Sequence, residues 1–186
     1  MKVQTRAYRE LIDAAAREVA LPSWTRGGDR FAPGEWLEGL VLTESNGDPR
    51  ATRYEPHHDR PGRRDSFGDA DTPNHDDGIL EDDRSYGLMQ VLGSNIRRLC
   101  GVGPGVPMRF SFAFLPMTNL AFGLRILTAE LGATGGDVAR ALARYNGGAS
   151  GDQLDADGRM RREEYVQKVA LNAQRARMDR GAARIA

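Results

Sequence analysis

The chain has 186 residues, a length that suits one domain able to bury a hydrophobic core without disulfides or metals. Its 26 basic and 26 acidic residues give a formal net charge of zero, which excludes the overall basic surface expected of nucleic-acid and anionic-membrane binders. The single cysteine, Cys100, excludes an intrachain disulfide and is predicted to be a small buried hydrophobe.

The first third of the sequence predicts two helices separated by a turn-rich stretch over 22–33. The first helix covers 5–20 and packs through Tyr8, Leu11, Ile12, Ala15 and Val19. The second begins near Gly34, and its apolar stripe consists of Trp36, Leu37, Leu40 and Val41. It should end in the segment Ser45-Asn46-Gly47-Asp48-Pro49, because Gly47 and Pro49 stop a helix.

The rest of the chain predicts a long irregular insertion over 50–84 and further helices. These helices cover 87–99, 118–131, 137–145 and 163–178, with a break at 101–107. The 118–131 helix has a stripe of Leu120, Leu124, Leu127 and Leu131, with Gly132 as its C-terminal cap. Because no run alternates convincingly as a strand, the fold class is mainly α.

The predicted domain organisation is a single main domain over 34–178, which contains the insertion. An N-terminal packing helix and turn over 1–33 precede this domain, and a tail over 179–186 follows it.

Glu44 is the candidate catalytic residue, because it follows Leu37 and Leu40 at helical spacing and so lies on the apolar face at the helix end. Burial raises the pKa of a glutamic acid, and a carboxyl group kept protonated near neutrality can donate a proton to a glycosidic oxygen. The alternative is a helix-end glutamate that faces solvent or pairs with an arginine.

Three short motifs follow Glu44-Ser45 in the chain. They are Ser85-Tyr86-Gly87-Leu88-Met89-Gln90, Ala141-Leu142-Ala143-Arg144-Tyr145-Asn146-Gly147-Gly148 and Tyr165-Val166-Gln167-Lys168-Val169. In this order and spacing the chain resembles, over about residues 35–172, the soluble-lytic-transglycosylase domain of the lysozyme-like lytic transglycosylases, which are related to goose-type lysozyme. The segment Arg53-Tyr54-Glu55-Pro56 looks like that of phage-associated members.

The resemblance implies a lysozyme-like single domain with a long loop insertion, no cofactor, and peptidoglycan glycan strands as the partner. Glu44 would be the catalytic acid and base. The residues implied to contact the carboxyl group or the sugar are Ser45, Gly87, Leu88, Met89, Gln90, Tyr145, Asn146 and Tyr165. For Leu88 and Met89, the alternative is packing in the core. Gly87 would let the backbone approach the glycan, Gln90 would offer amide hydrogen bonds, Tyr145 would hydrogen-bond Glu44, and Tyr165 would close the cleft. The sequence itself places Tyr145 on one helical face with Val138 and Leu142, which directs the phenol inward.

The implied reaction cleaves the bond between N-acetylmuramic acid and N-acetylglucosamine and leaves a 1,6-anhydro end. A hydrolytic muramidase is the nearest alternative, and it usually needs a second carboxylate. Candidates for that carboxylate are Asp48, Asp59, Asp65, Asp76 and Asp77. A non-catalytic virion or cell-wall-binding protein is the other alternative, although such a protein would not need Glu44.

Two segments have compositions that suit metal ions, but neither has a regular motif. The first contains His57, His58, Asp59, His75, Asp76 and Asp77. The second, over 153–164, aligns with a calcium loop through Asp155, Asp157 and Glu164. However, Gln153 at the first position removes one negative ligand, and Arg161 at the ninth adds a positive charge. We expect a solvated loop and a polar turn, respectively.

No apolar run long enough to span a membrane occurs, and the N-terminus lacks the pattern of a secretory signal. We therefore expect delivery to the periplasm or cell wall by a virion, lysis or secretion system, with virion or lysis-system proteins as partners. The C-terminal arginines, which are Arg175, Arg177, Arg180 and Arg184, are predicted to form a solvated face.

Overall fold

The computed structural model of the protein describes residues 4–55, 80, 82–103 and 106–183. Its α-helices are Arg9–Glu18 (α1), Pro33–Ser45 (α2), Gly93–Leu99 (α3), Pro116–Ala133 (α4), Val138–Gly147 (α5) and Glu163–Ala183 (α6). Its strands are Trp24–Arg26 (β1), Asp29–Phe31 (β2), Thr52–Tyr54 (β3), Arg84–Tyr86 (β4) and Val91–Leu92 (β5). Short 3-10 helices cover Gln4–Tyr8, Ser111–Phe114 and Gly148–Ser150. The predicted mainly α class is confirmed.

The chain forms two compact units. One consists of Met1–Gly47 together with Leu124–Ala186, and the other of Asp48–Gly123. The division falls within α4, so this helix contributes residues to both units. The segment that was predicted as a separate N-terminal piece, residues 1–33, belongs to the same unit as α2 and α6.

Helix α2 is the central helix of the first unit. Pro33 occupies its first turn, and the backbone N–H of Ala32 donates a 2.8 Å hydrogen bond to the Glu35 carboxylate, so the start of the helix is well capped. The predicted stripe is fully buried and consists of Trp36, Leu37, Leu40 and Val41. Helix α2 ends where predicted, because Asn46 adopts a left-handed conformation with φ of 55°.

Helices α2 and α6 pack against each other in antiparallel directions. Later residues of α2 meet earlier residues of α6: the Glu38 carboxylate binds Arg180, and the Thr43 hydroxyl accepts a 3.0 Å hydrogen bond from Asn172. The two backbones come closest at Gly39. A Cβ atom there would lie 2.7 Å from the backbone nitrogen of Ala173 and 2.7 Å from the carbonyl oxygen of Val169.

A buried ion cluster joins α1, α2 and α6. The Glu38 side chain is fully buried, and its carboxylate accepts hydrogen bonds from the Thr5 hydroxyl, from Arg9 at 3.0 Å and from Arg180 at 2.7 Å. Arg180 also binds Asp13 at 2.9 Å. A buried carboxylate is tolerated only when it is paired and hydrogen-bonded in this way.

The predicted solvated face of C-terminal arginines is wrong for two of its members. Arg180 belongs to the ion cluster, and Arg177 binds Glu35 at 3.2 Å while its guanidinium lies 4.6 Å from the centre of the Phe31 ring. Helix α6 also continues to Ala183, past the predicted end at residue 178. Sequence spacing shows the charges of these arginines but not the carboxylates that face them.

The structure contains two small sheets that the sequence did not predict. Strands β1 and β2 form an antiparallel hairpin in the stretch predicted as turns, and both of its loop residues, Gly27 and Gly28, have positive φ. Strands β3, β4 and β5 form an antiparallel sheet in the second unit. Each strand has only two or three residues, which is too short for an alternating pattern to stand out.

The helix predicted over 87–99 begins only at Gly93. Residues 87–90 form a turn between β4 and β5, in which Gly87 and Gln90 have φ values of 73° and 46°. Left-handed backbone at two positions is incompatible with an α-helix.

Two smaller predictions are also wrong, whereas the leucine stripe of α4 is confirmed. Leu120, Leu124, Leu127 and Leu131 are all buried. However, α4 continues through Gly132 to Ala133, and the glycines with positive φ after it are Gly135 and Gly136. Cys100, which was predicted to be buried, is exposed. Among the residues described, no helix combines the length and apolar character that crossing a lipid bilayer requires.

The Gly39 contact allows a direct test of the α2–α6 packing. We expect Gly39→Ala to lower the free energy of unfolding by about 1–3 kcal/mol, because the added methyl group overlaps backbone atoms of α6 that cannot move independently. Urea denaturation measures this change. Gly132→Ala is the matched control, since an added methyl group at this position of α4 would meet open space and should gain up to about 1 kcal/mol from helix propensity. Equal effects of the two substitutions would contradict the close contact.

Candidate active site

Glu44 lies in the last turn of α2 and is partly exposed. The end of the helix is held by Ser45, whose hydroxyl donates to the carbonyl of Val41 at 3.1 Å and accepts from the backbone N–H of Gly47 at 3.2 Å. Ser45 is itself buried. Its contacts therefore fix the backbone immediately after Glu44, which sets the direction in which the carboxyl group leaves the helix.

Tyr165 contacts Glu44 from the first turn of α6. Its phenolic hydroxyl donates a hydrogen bond to Oε1 of Glu44, across 121 positions of sequence. The preceding Glu163 forms an ion pair with Arg26 of the β1–β2 hairpin, which anchors the start of α6. Tyr165 thus approaches Glu44 from a helix that is fixed at this end by Arg26 and further along by Asn172 and the ion cluster.

Tyr145 approaches the same carboxylate from α5. Asp137 caps the start of α5 through a 3.1 Å hydrogen bond from the backbone N–H of Arg140, and Val138 and Leu142 are buried. Tyr145 is half-buried, and enough protein lies around its phenol to disfavour the charged form. Burial raises the pKa of Tyr145 well above its usual value near 10, and the negative charge of Glu44 raises this pKa further.

Asn146, the residue after Tyr145, is exposed near the end of α5. Glu44, Ser45, Tyr145, Asn146 and Tyr165 all belong to the first unit. The structure therefore brings Glu44 together with the two tyrosines. A phenol can donate a hydrogen bond to a carboxylate or to a bound sugar, as the Tyr165 hydroxyl does to Glu44.

The other predicted site motif, residues 87–90, lies in the second unit and is held by Asn119. The fully buried Asn119 amide donates to the carbonyls of Tyr86 and Ala113 at 2.8 and 2.9 Å, and accepts from the backbone N–H of Met89 at 2.8 Å. A Cβ atom on Gly87 would lie 2.4 Å from the Asn119 amide nitrogen. Gly87 is therefore required for packing against Asn119, rather than leaving open space for a glycan.

The side chains of residues 88–90 also point to an internal role. Leu88 and Met89 are fully buried, so we assign both side chains to the core and correct the prediction that they line the glycan cleft. Gln90 uses its amide nitrogen to donate 3.0 Å hydrogen bonds to the carbonyls of Ala51 and Gly87. Its predicted amide donors are thus occupied by backbone carbonyls, one in the turn and one just before β3.

Several candidates from the sequence lie outside the residues that the structure describes. These are His57, His58, Asp59, Asp65, His75, Asp76 and Asp77. Asp48 is described and exposed, and its carboxylate accepts a 2.8 Å hydrogen bond from the backbone N–H of Arg50. Within the described ranges, no three histidine, cysteine or carboxylate side chains are grouped so that they could hold a metal ion.

In the calcium-like loop, an arginine binds the acidic side chains. The Arg159 guanidinium pairs with Asp157 at 2.5 Å and with Asp155 at 3.7 Å. Asp155 also accepts 2.9 Å hydrogen bonds from the backbone N–H groups of Asp157 and Arg159, and these bonds lower the pKa of its carboxyl group. The Arg159 guanidinium is therefore already paired with the two carboxylates that a calcium ion would need.

The family model described as the transglycosylase SLT domain matches residues 32–167, which is more than half of the chain. The chain belongs to this family. The SLT domain is lysozyme-like, in agreement with the mainly helical architecture, and the family is that of lytic transglycosylases, whose substrate is peptidoglycan. Searches of curated proteins and of solved structures each found no match.

Sequence reasoning missed three residues that support this SLT domain. Glu38 lies on the same helix as Glu44, Asn172 binds Thr43 immediately before Glu44, and Asn119 holds the 87–90 turn. Glu38 and Asn119 offered a signal, since each is a polar residue in a stretch rich in apolar side chains. Such a residue is usually either buried with partners or functional, and the sequence does not say which.

The position of Tyr145 predicts its titration. We expect its phenol to remain protonated above about pH 10, where an exposed tyrosine ionises, because ionisation would place a buried negative charge beside Glu44. The measurement is a pH titration of phenolate absorbance in the near ultraviolet for wild type and for Tyr145→Phe. The difference between the two curves is the titration of Tyr145 alone. Because folding raises the pKa of Tyr145, the protonated phenol contributes to the stability of the folded protein. This contribution is complete below about pH 10 and is lost as pH rises through the folded-state pKa.

The control for this titration is Glu44→Gln, which removes the charge but not the burial. The Tyr145 midpoint should move down in this variant and still stay above that of a free tyrosine, because burial is the larger cause. Ionisation of Tyr145 at about pH 10 in the folded wild type would contradict the described surroundings.

The ion pairs of Arg159 predict the response to calcium. We expect millimolar calcium to leave the melting temperature unchanged, because the ion would have to displace Arg159 from Asp155 and Asp157. Thermal unfolding with calcium or with a chelator measures this. Magnesium at equal concentration controls for ionic strength, and a rise in melting temperature specific to calcium would show that a site forms.

Proposed function

We propose that the protein is a peptidoglycan lytic transglycosylase in which Glu44 acts as both acid and base. The observation that carries the proposal is the hydrogen bond from the Tyr165 hydroxyl to the Glu44 carboxyl group, together with the buried Tyr145 phenol next to it. A partly exposed carboxyl group that accepts a hydrogen bond from Tyr165, with the charge of that carboxyl group felt by Tyr145, is suited to proton transfer to a bound sugar.

In the first step, Glu44 donates its proton to the glycosidic oxygen between N-acetylmuramic acid and N-acetylglucosamine. The bond from this oxygen to the muramic acid C1 breaks, and an oxocarbenium-like centre forms at C1. The position of Glu44 in the last turn of α2 helps this step, because the partial negative charge at a helix C-terminus favours the protonated carboxyl group.

In the second step, the 6-hydroxyl oxygen of the same muramic acid residue bonds to C1, and its proton returns to Glu44. The product is a 1,6-anhydro end, and no water molecule is consumed. The Tyr165 hydroxyl supports this step, since it stabilises the carboxylate that Glu44 becomes after the first proton transfer. We further propose that the protein acts in the periplasm or cell wall, where this polymer lies.

Mass spectrometry of the muropeptides released from purified peptidoglycan tests this proposal. Wild type should release anhydro-muramic ends, and Glu44→Gln should release them about 10²–10⁴-fold more slowly, because the amide has no proton to donate and cannot act as a base. Glu18→Gln is the matched control, since Glu18 is an exposed glutamate at the end of α1. Tyr165→Phe keeps the acid but removes the donor, so its loss should be smaller.

Each other outcome points to a different function. Reducing ends that disappear in Glu44→Gln would identify a hydrolytic muramidase with a second carboxylate. Binding to the cell wall without release of fragments by wild type would identify a non-catalytic wall binder. Full activity of Glu44→Gln would exclude Glu44 as the catalytic residue.

A further inference from the structure

Helices α2 and α6 are linked by a chain of hydrogen bonds that passes through the residue before Glu44. The Asn172 amide nitrogen of α6 donates to the Thr43 hydroxyl of α2 at 3.0 Å, and this hydroxyl donates to the carbonyl of Gly39 at 2.8 Å. The Asn172 amide oxygen accepts a 3.2 Å hydrogen bond from Arg175, one turn later on α6. The donors and acceptors of this chain therefore all point in one consistent direction.

The surroundings of Asn172 and Thr43 hold the bond between them in place. Asn172 is only 8% exposed, so its amide would be left without a donor-acceptor contact to α2 and with little access to water if Thr43 moved away. Thr43 is half-buried, and its bond to the Gly39 carbonyl selects one of the two side-chain rotamers that threonine adopts in a helix. The pair thus fixes how the last turn of α2 lies against α6.

Asn172 and Tyr165 lie on the same face of α6. They are roughly two helical turns apart, or about 10 Å along the helix axis. Asn172 meets Thr43 of α2. Tyr165 meets the next residue of α2, which is Glu44. A shift or rotation of one helix against the other that breaks the first of these contacts therefore also displaces the second.

Asn172 lies beyond residues 32–167, the range that matches the SLT family model. The far end of the same helix pair is anchored separately, because Glu38 binds Arg180 at 2.7 Å within the buried ion cluster. Loss of the Asn172 bond should therefore loosen the two helices near Glu44 while their far end stays in place. This makes the bond suitable for substitution without loss of the fold.

We propose that Asn172, acting through Thr43, is a positioning residue for the reaction at Glu44. Its bond holds the last turn of α2 so that the Tyr165 hydroxyl meets the Glu44 carboxyl group. The proposal rests on the proposed function, because Glu44 is the proposed acid and base. Asn172 and Thr43 transfer no proton themselves. They act through the orientation of the proton donor, and a displacement of about 1 Å is enough to slow a reaction strongly.

The test removes the Thr43 hydroxyl and keeps the shape of the side chain. On soluble glycan strands, we expect Thr43→Val to lower kcat for release of anhydro-muramic ends by about tenfold and to leave KM near the wild-type value, because the sugar still binds while the acid is displaced. Thr43→Ser keeps the hydroxyl and should recover most of the rate. A wild-type kcat in Thr43→Val would overturn the proposal.

Thr128→Val is the matched control for the loss of a threonine hydroxyl. Thr128 is also half-buried, and its hydroxyl donates a 2.8 Å hydrogen bond to the carbonyl of Leu124, one turn earlier. Among the residues that the structure describes, this hydroxyl bonds only to carbonyls of its own helix, α4. Thr128→Val should therefore leave kcat at the wild-type value, and an equal loss in both variants would contradict a specific role for Thr43.

The double variant Thr43→Val/Asn172→Leu separates positioning from stability. Thr43→Val alone leaves the buried Asn172 amide without its acceptor, whereas replacing both partners by apolar groups of similar shape can be nearly neutral for stability. The free energy of unfolding, measured by urea denaturation, should therefore recover toward wild type in the double variant. Its kcat should stay about tenfold low, because the directed bond is still absent. Recovery of kcat together with stability would show that the pair only stabilises the fold, and would overturn the proposal.

A measurement without turnover distinguishes failure of this proposal from failure of the proposed function. In protein with isotope-labelled tyrosine, the NMR signal of the ring carbon that bears the Tyr165 hydroxyl reports the surroundings of this phenol. Tyr165→Phe assigns the signal, and Glu44→Gln gives the shift that follows from loss of the carboxylate. We expect Thr43→Val to move the signal in the same direction and Thr128→Val to leave it in place.

The two possible failures then have different signatures. A Tyr165 signal that Thr43→Val leaves unmoved overturns the positioning role, whatever products the wild type releases. A signal that moves as expected, in a protein whose wild type releases no glycan fragments, supports the role of Thr43 in holding Tyr165 against Glu44 and overturns the proposed function alone.

Discussion

The antiparallel packing of α2 against α6 is the interaction on which the rest of the first unit depends. Gly39 lets the two backbones approach, and the buried Glu38 fixes the position of one helix along the other through Arg180. A buried carboxylate without these donors would cost several kcal/mol, so the helices cannot slide without losing the cluster. Because α6 is a continuous helix, its register at Arg180 also determines where Tyr165 meets Glu44.

The chemistry of the site follows from this rigidity. Glu44 leaves α2 at a helix end that Ser45 and Asn46 terminate sharply, so its carboxyl group is directed by backbone geometry rather than by a flexible loop. Tyr165 approaches it from α6, and Tyr145 approaches it from α5. Helices hold side chains more closely than loops do, and proton transfer is sensitive to small displacements. In the proposed reaction, three helices of one unit therefore supply the groups around Glu44.

The loop before α6 shows how similar spacing can serve a different purpose. Acidic residues that align with a calcium loop are bound by Arg159, so the loop is closed by a side chain of the protein itself. The charges left over, on Arg161, Arg162 and Glu164, line a pocket at the start of the helix that carries Tyr165.

The sequence by itself determined the mainly α class, the long helices with their buried stripes, the end of α2 at Asn46 and the family, because helical periodicity, capping residues and short motifs are local signals. Only the tertiary structure decided the partners of Glu38, the packing role of Gly87 beside Asn119, the burial of Leu88 and Met89, and the hydrogen bond between Tyr165 and Glu44. Each of these joins residues that are far apart in the chain. Their contacts depend on the register and rotation of packed helices and strands, which one-dimensional spacing does not encode.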